Sequence, residues 1–533
     1  MFPIKRLVAF GLCAALCLWG GAGVAIADQQ GGFGMDEYCL RSTDIGVKTA
    51  GNAVADGQTD DTAAINTAIN KAREEGKRLI FEKGTYLVEK NLNFPSAISV
   101  VFEEGAMLKL GSSARVSINS VLLAGNWKIF EGTQGSLQVN STVSGNPFWF
   151  GAKGDGKTDD TAAFVQGYRI FTELKLPYTQ EGYLLTGLEL LPNMSLTSAD
   201  SKKAIIKASK ETNRLFNVAV SGVRISDLQF EMGDAPTGST VFYFDTAKTY
   251  IEKIYVKDCI FRDAYHVFSD AKDKNVMMHM HFEDLEFYDS RHSTYRIEDF
   301  EGFIFMKRIK IDNSGSYQKH KLDYGFPAIQ IDDVRGTIFE EMELIGANSG
   351  YQEETGFLIP SKVGFMASVW WDRVTVKNMS GYGITVGATI ICTLINTTVS
   401  DCGGGVYLQK AMELQMDKVT VTNSTGGEGA TELQGILLEN CERTQLHQVT
   451  STGNAGCGVY LKNCSSMILN DCEFTGNQSF GFREVGGGRN IFQNSRCYDN
   501  DGQITVSASN TVVSDVETKK GSAISFKGAD RID

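Results

Sequence analysis

The sequence lacks an excess of positive charge, and beyond its N-terminus it lacks long apolar runs. Lys and Arg number 51 against 64 Asp and Glu, so the formal net charge is −13. Nucleic-acid binding needs basic groups in excess, so we expect no nucleic-acid partner. We also expect no membrane insertion, because no later run could span a bilayer. An acidic polysaccharide would have to be held by local basic groups.

Several catalytic and ligand-binding motifs are also missing. The chain has no Gly-x-Ser-x-Gly elbow, no phosphate-binding loop and no Cys-rich metal spacing. These absences disfavour serine hydrolases of the elbow type, nucleotide-binding P-loops and structural zinc sites. His279 and His281 are two positions apart in a predicted strand, which is more typical of a surface pair than of metal ligands.

The cysteines do not form a recognisable disulfide framework. Nine of the 11 follow residue 27, an odd number scattered over a long chain. Cys441 in "LLENC" and Cys464 in "YLKNC" are 23 residues apart in matching contexts. This spacing favours two stacked buried thiols, although a bridge between neighbouring strands is left open.

The N-terminus has the pattern of an export signal. Lys5 and Arg6 precede an apolar run that ends in the small-x-small triplet Ala25 to Ala27. We predict a signal peptide at residues 1–27, cleaved after Ala27, and hence a secreted, periplasmic or cell-surface protein. A transmembrane anchor is the alternative, but the apolar run is short for spanning.

The central pattern is a degenerate repeat. Segments such as "VKDCIFRD", "FEDLEFYD" and "WDRVTVKN" alternate in polarity and end at Asp or Asn, as strands followed by turns do. Their predicted inward residues recur about every 26 positions. Short strands at this period cannot bury a face alone, so they predict stacked coils of a parallel β-helix. The inward residues are Leu228, Cys259, Leu285, Ile309, Met342, Val374, Thr397, Val419, Val449, Cys472, Ser495 and Val516.

Polar residues follow these strands at a constant offset. They tolerate the left-handed backbone of a tight turn, so we interpret the column as structural. Early coils are longer than late ones, and their extra residues should form loops that build a site. The column comprises Asp263, Asp289, Asn313, Asn378, Asp401, Asn423, Asn454, Asn477 and Asn500.

One acidic string occurs twice, as "ADGQTDDTAAI" at 55–65 and "GDGKTDDTAAF" at 154–164. Each copy predicts a turn followed by an N-capped helix, over 62–72 and 161–169. The second helix should cover the N-terminal end of the main stack, where strand edges would otherwise be exposed. A calcium site is the alternative use of these carboxylates.

The stretch "FGAKGDGKTDDTAAF" resembles the start of the pectate-lyase-like superfamily domain, found in polygalacturonase-related enzymes and phage tailspike depolymerases. The resemblance implies an all-β right-handed parallel β-helix, a single solenoid over 147–533 with an N-terminal capping helix. A small satellite module at 28–146 would carry the first cap motif. Polygalacturonases need a Gly-His-Gly that is absent here, so the Arg-Ile-Lys at 308–310 is interpreted as a chance match.

The second strands of the long coils suggest an acidic site. Aligning "VFSD", "RIED" and "QIDD" superposes Ser269, Glu298 and Asp332, with the following acids in the next column. Neighbouring rungs lie about 4.8 Å apart, so repulsion would separate the carboxyl pKa values into a proton donor and an ionised partner. The predicted catalytic residues are Glu298, Asp299, Asp332 and Asp333.

This cluster predicts a glycoside hydrolase that acts on a polysaccharide. The same carboxylates could instead bind Ca²⁺ in a polysaccharide lyase, or serve no chemistry in a glycan-binding or adhesion protein. Loops at 313–327 and 346–362 should cover the cluster. No resident cofactor is predicted otherwise, and a homo-oligomer is left open.

Polar and aromatic residues nearby are candidates for substrate contact. Arginine, lysine and glutamine suit uronates and hydroxyls, and aromatic rings suit sugar faces. If 370–371 lies in a strand, one tryptophan of that pair must point inward. The predicted substrate-binding residues are Arg296, Arg308, Lys310, Gln330, Tyr324 and Trp370.

Overall fold

The computed structural model describes residues 47–48, 53–132, 136–140, 144–245, 251–270, 279–297, 302–332, 335–360, 366–426, 433–507, 510–518 and 524–526. The chain forms a β-solenoid of about 17 turns with 55% strand. Paired strands run parallel along the stack. The predicted all-β parallel β-helix is therefore confirmed.

The N-terminal part is itself a short three-sided stack. One side contains Val47–Lys48, Leu79–Phe81, Ser99–Phe102 and Val121–Ala124. The second contains Asp56–Asp60, Gly84–Val88, Ala106–Leu110 and Phe130–Glu131. The third contains Leu92–Phe94, Arg115–Ile118 and Ser136–Val139. A 3₁₀ helix at Pro147–Phe150 leads from this module into the main stack.

The main stack has three faces, here called sheets A, B and C. Sheet A contains Glu173–Leu176, Ser195–Ser198, Arg224–Ser226, Thr389–Ile395, Ala411–Asp417 and Glu442–His447. Sheet B contains Asp155–Asp159, Gly182–Leu185, Ala204–Ala208, Leu228–Glu231, Thr398–Ser400, Thr420–Thr422, Thr450–Thr452 and Glu473–Thr475.

Other strands run along sheet A, bend, and continue on sheet B. They are Ile254–Arg262, His279–Tyr288, Phe303–Asp312, Gly336–Ile345, Met366–Lys377, Ile491–Tyr498 and Val512–Thr518. Sheet C contains Leu188–Glu189, Arg214–Val218, Thr240–Phe244, His266–Asp270, Tyr295–Ile297, Ile329–Ile331, Phe357–Ile359, Tyr382–Val386, Gly404–Gln409, Ile436–Glu439, Phe480–Gly488, Gly502–Val506 and Ile524–Phe526. Val459–Asn470 begins on sheet C and bends onto sheet A. No helix among the described residues is long and apolar enough to cross a membrane.

Inward side chains stack from rung to rung and form one continuous core. Cys259 lies opposite Leu285, and Leu285 lies opposite Ile309, as the periodicity predicts. All three side chains are buried. The rings of Phe230 and Phe261 stack with centroids 4.9 Å apart. Burying one such side chain contributes about 1.5–3 kcal/mol, so repetition along the stack supplies its cohesion.

The corner between sheets A and B is a single residue in the left-handed region. Asp258, Asp284, Arg308, Glu341 and Arg373 occupy this corner on successive coils, with φ between 52° and 55°. Asp adopts this conformation more readily than Glu or Arg does. The corner is tight, so insertions are accommodated at the other two corners.

The predicted polar column divides into two structural roles. Asp263, Asp289 and Asn378 have φ of 58°, 53° and 58°, as a left-handed turn requires. Their role as turn residues is confirmed.

Later members of that column turn inward and form an asparagine ladder. The Nδ2 of Asn454 donates to Oδ1 of Asn477, and the Nδ2 of Asn477 donates to Oδ1 of Asn500, both at 2.8 Å. Gly453 and Gly476 take the positive φ there instead, at 68° and 64°. The prediction of a left-handed turn at these asparagines is wrong, because the preceding glycine makes the turn and frees the amide to bond between rungs.

Both helices predicted from the doubled string are confirmed, as α1 (Thr62–Glu75) and α2 (Thr161–Ile170). Phe164 of α2 packs on Tyr183 with ring centroids 5.5 Å apart, so this helix lies at the start of the main stack as predicted. The predicted side-chain N-cap is not formed in either copy. Asp160 instead accepts from the N–H groups of Lys153 and Gly154 at 2.6 and 3.0 Å.

The other acids of the string also bond backbone groups. Asp155 accepts from the N–H groups of Lys157 and Thr158 at 2.9 and 2.7 Å. These bonds lower the pKa of Asp155 to about 2. The first copy repeats this pattern at Asp56 and Asp61. Each carboxylate therefore holds a turn together, which accounts for three acids within six positions.

The described cysteines are buried and unbridged. Cys441 and Cys464 are free thiols in this structure, as the stacked-thiol interpretation predicts.

We expect Asn477→Ala to lower the free energy of unfolding by about 3 kcal/mol, because it leaves buried partners on two neighbouring rungs unsatisfied. Chemical denaturation monitored by circular dichroism measures the loss. Asn423→Gly is the matched control, since Asn423 has a φ of 56° that glycine adopts readily. Equal stability of the two variants would contradict a structural role for the ladder.

Candidate functional site

The candidate site lies on the outer face of sheet C, where the coils carry their longest loops. Arg296 and Gln330 point outward between buried neighbours on adjacent strands. They lie directly opposite each other in the register of those strands. The structure therefore brings together two of the predicted substrate-binding residues.

The predicted acidic column needs one correction. Ser269 lies opposite Arg296, not in line with Glu298, so the first of the three aligned strands is displaced by two residues. The 34-residue step from Arg296 to Gln330 is correct. The error arises because the loop between the first two strands is shorter than the sequence alignment assumed.

Asp332 is fully buried directly after the strand that carries Gln330. Its backbone N–H donates to the carbonyl of Ile297 at 2.9 Å. Glu298, Asp299 and Asp333 lie outside the described residues. The catalytic assignment therefore stays a prediction for all four carboxylates.

An aromatic cluster borders sheet C at its junction with sheet B. The ring of His292 stacks between Tyr265 and Phe326, with centroids 5.0 and 5.4 Å away and interplanar angles of 29° and 16°. Tyr324 is 5.8 Å from the same imidazole, and its hydroxyl donates to the carbonyl of Arg291 at 2.9 Å. Three successive coils thus supply one wall beside Arg296 and Gln330.

His292 is held uncharged. Burial, followed by the charges of His266 and Arg296, lowers its pKa to about 3. Its Nδ1 accepts from the N–H of Ser293 at 2.8 Å, so the ring proton resides on Nε2. At neutral pH this imidazole is a hydrogen-bond donor and not a charged group.

Arg291 anchors the wall from beneath. Its guanidinium donates to the carbonyls of Asp263, Ala235 and Met232 at 2.9, 2.8 and 3.0 Å. Burial lowers the pKa of Arg291. These bonds join neighbouring coils and fix the loop that presents His292. Sequence analysis missed both residues, because their partners come from other coils.

The helix α3 (Ser316–His320) begins the loop that precedes Tyr324. Lys319 of this helix pairs with Asp263 and Asp289 at 2.6 and 3.0 Å. The loop at 313–327 therefore packs at the start of the sheet C strands, whereas Asp332 follows their end. The prediction that this loop covers the acidic cluster needs that correction, because the chain enters sheet C from this side.

Three predicted substrate-binding residues do not lie on sheet C. Arg308 occupies the corner between sheets A and B and pairs with Glu283 and Asp284. Lys310 is on sheet B, 3.9 Å from Asp312. These charges are engaged on other faces because the chain bends at residue 308.

Trp370 lies on the outer face of sheet A, and Trp371 is buried. This confirms that one of the two tryptophans points inward. The same alternation places Trp370 on a different face from Arg296 and Gln330.

Metal binding is not tested by the described part of the chain. It contains no group of three or more His, Cys, Asp or Glu side chains arranged to hold a metal ion. Three of the four predicted carboxylates lie outside it, so the calcium alternative stays a prediction.

We expect His292 to make stability depend on pH. Its folded pKa is below its ordinary value of 6.5, so its contribution is present above pH 6.5 and is lost as pH falls toward about 3. The thermal midpoint of His292→Gln should fall less than that of wild type between pH 7 and pH 4. Parallel midpoint curves, or an NMR titration of His292 near pH 6.5, would contradict the assignment.

Two segments of the chain match family models. Residues 45–121 match a model described as rhamnogalacturonase A/epimerase, pectate lyase-like, and residues 434–527 match a right-handed β-helix region. The first match covers the first copy of the doubled string. A sequence comparison with curated proteins found no significant match.

Solved structures of similar proteins include tailspike protein 3 of bacteriophage CBA120, with 10% identity over 73% of this chain and a TM-score of 0.41. The aligned region spans 59% of the tailspike chain. The Azotobacter vinelandii mannuronan C-5 epimerase AlgE4 A-module gives 12% identity, 73% coverage of this chain, 100% of that chain and a TM-score of 0.32. A double mutant of the periplasmic alginate epimerase AlgG gives 10%, 66%, 78% and 0.27.

These likenesses carry no statement about activity. The two segment matches and the stacked parallel coils confirm the predicted resemblance. The chain is a right-handed parallel β-helix protein that is similar, in its N-terminal segment, to the pectate-lyase-like domains of rhamnogalacturonase A and epimerases.

Proposed function

We propose that this is an exported protein that binds an acidic polysaccharide across sheet C and cleaves it as a glycoside hydrolase. The observation that carries the proposal is the outward pair Arg296 and Gln330, in register on adjacent rungs. The match to a pectate-lyase-like rhamnogalacturonase model supports a polysaccharide substrate.

The binding part of the proposal rests on hydrogen-bonding chemistry. A guanidinium can bind a uronate carboxylate through two parallel hydrogen bonds, and a primary amide can bond neighbouring hydroxyls. His292 adds an uncharged donor beside Arg296, since its ring proton resides on Nε2. The arrangement places local positive charge on a protein whose formal net charge is −13.

The cleavage part rests on the strands that lead to the predicted carboxylates. Ile297 lies opposite Ile331, and the next residues in the sequence are Glu298 and Asp332. Adjacent rungs are about 4.8 Å apart, close to the roughly 5 Å separation of the two carboxyls in retaining glycosidases. Hydrolysis would use one protonated carboxyl as acid and one ionised carboxylate as nucleophile.

The pectate-lyase-like match favours a second candidate, calcium-assisted β-elimination by the same carboxylates. Elimination leaves an unsaturated uronate that absorbs ultraviolet light, whereas hydrolysis yields reducing ends alone. A chelator should abolish elimination and leave hydrolysis unchanged. If binding persists while neither product forms, the protein is a glycan-binding module.

We expect Glu298→Gln and Asp332→Asn each to lower kcat by about 10² to 10⁴ on the acidic polysaccharide that wild type cleaves, because an amide cannot transfer the proton. Reducing-end and ultraviolet assays on a polysaccharide panel measure the effect. Retention of full activity by both variants would overturn the catalytic assignment.

Arg296→Ala should raise KM with less change in kcat, since it removes a contact to bound substrate. Arg483→Ala is the matched control, because Arg483 lies in an outward position of sheet C on a coil nearer the C-terminus. An equal rise in KM for both variants would indicate general electrostatic attraction instead of a site at Arg296.

A further inference from the structure

The outer face of sheet A carries an apolar surface that the proposed function does not use. One outward column places Tyr255, His281, Phe305, Ile338 and Trp370 in register on five successive rungs. An adjoining column adds two more rings. We call this surface the aromatic strip, comprising Tyr255, His279, His281, Phe303, Phe305, Ile338 and Trp370.

The strip is open to solvent to an extent unusual for such residues. Phe303 is 53% exposed, Ile338 45%, Trp370 44% and Tyr255 39%. A groove of about 320 Å³ lies along these side chains. Contiguous exposed apolar surface of this kind marks an interaction site more often than a bare surface does.

The rings are ordered by contact between rungs. His279 and Phe303 stack at 5.8 Å and 13°, and the rings of His281 and Phe305 are 4.7 Å apart. A Cβ at Gly336 would come within 2.6 Å of the Phe303 ring, so glycine lets this ring lie against the next rung. The strip is therefore a preformed surface, which lowers the entropic cost of binding.

Charges beside the strip cancel from rung to rung. Lys257, Glu283, Lys307 and Glu340 follow one another in register, two positions along the same strands. Lys257 pairs with Glu283 at 3.4 Å, and Lys307 pairs with Glu340 at 3.0 Å. This flank offers alternating donors and acceptors with little net charge. A polyanion would meet carboxylates there, so the flank disfavours an acidic ligand.

We propose that the aromatic strip binds a neutral polysaccharide that runs along the solenoid axis. A pyranose ring has an apolar C–H face and a rim of hydroxyls, which match an apolar strip and a flank of paired donors and acceptors. Rungs repeat about every 4.8 Å, so successive sugars meet similar surroundings. The surface is distinct from sheet C, and the proposal does not rest on cleavage there.

Affinity electrophoresis tests the proposal. Gels that contain mixed-linkage β-glucan, galactomannan or xylan are compared with gels that contain polygalacturonate and with gels without polysaccharide. We expect at least one neutral polymer to retard the wild-type protein. Phe303→Ala and Trp370→Ala should each weaken that retardation about tenfold, the effect of losing one aromatic contact.

Ile468→Ala is the matched control, since Ile468 is exposed in an outward position of sheet A nearer the C-terminus. It should bind as wild type does, and thermal melts establish that all variants are folded. Asp332→Asn should also bind normally, which separates this proposal from cleavage at sheet C.

Three results would overturn the proposal. The first is the absence of retardation by any neutral polymer. The second is equal retardation of wild type and both strip variants. The third is a dimer, found by light scattering, that Trp370→Ala dissociates; this result would assign the strip to a second copy of the chain.

Discussion

Hydrogen bonding between the backbones of successive rungs is the constraint on which the rest of this molecule depends. Parallel strands about 4.8 Å apart bring residues from different coils into columns. Inward columns become a continuous core, as the stacked rings of Phe230, Phe261 and Phe287 illustrate. Outward columns become ladders, whose chemistry repeats or alternates along the axis. A side chain is therefore defined by its column as much as by its neighbours in sequence.

The three corners of the coil differ in how much extra chain they can accept. A single left-handed residue such as Arg308 makes the corner between sheets A and B, which leaves no room for an insertion. Extra residues enter elsewhere, as in the segment from Asn313 to Ala328. That segment packs Phe326 on His292, beside the short strand Tyr295–Ile297. A narrow sheet with loops at both ends is where a rigid solenoid can form a specific pocket.

The outer faces differ in charge and polarity because they follow different columns. Sheet C presents Arg296 and Gln330 beside a histidine that burial keeps neutral. Sheet A presents exposed rings such as Phe303 and Trp370, flanked by paired charges. Both faces are built on the same rung spacing, so each can follow a repeating ligand. Their opposite preferences for charge allow one solenoid to contact two kinds of polymer.

The sequence by itself determined the period, the inward anchors, the two helices of the doubled string and the alternation at Trp370. These follow from local rules, since strands alternate every two residues and a coil must bury one face. Only the tertiary structure decided which coils align. Ser269 opposes Arg296 across 27 residues, and His292 meets Tyr265 and Phe326 from 27 and 34 residues away. Loop length hides such offsets, because the loop's path and not its composition sets the register.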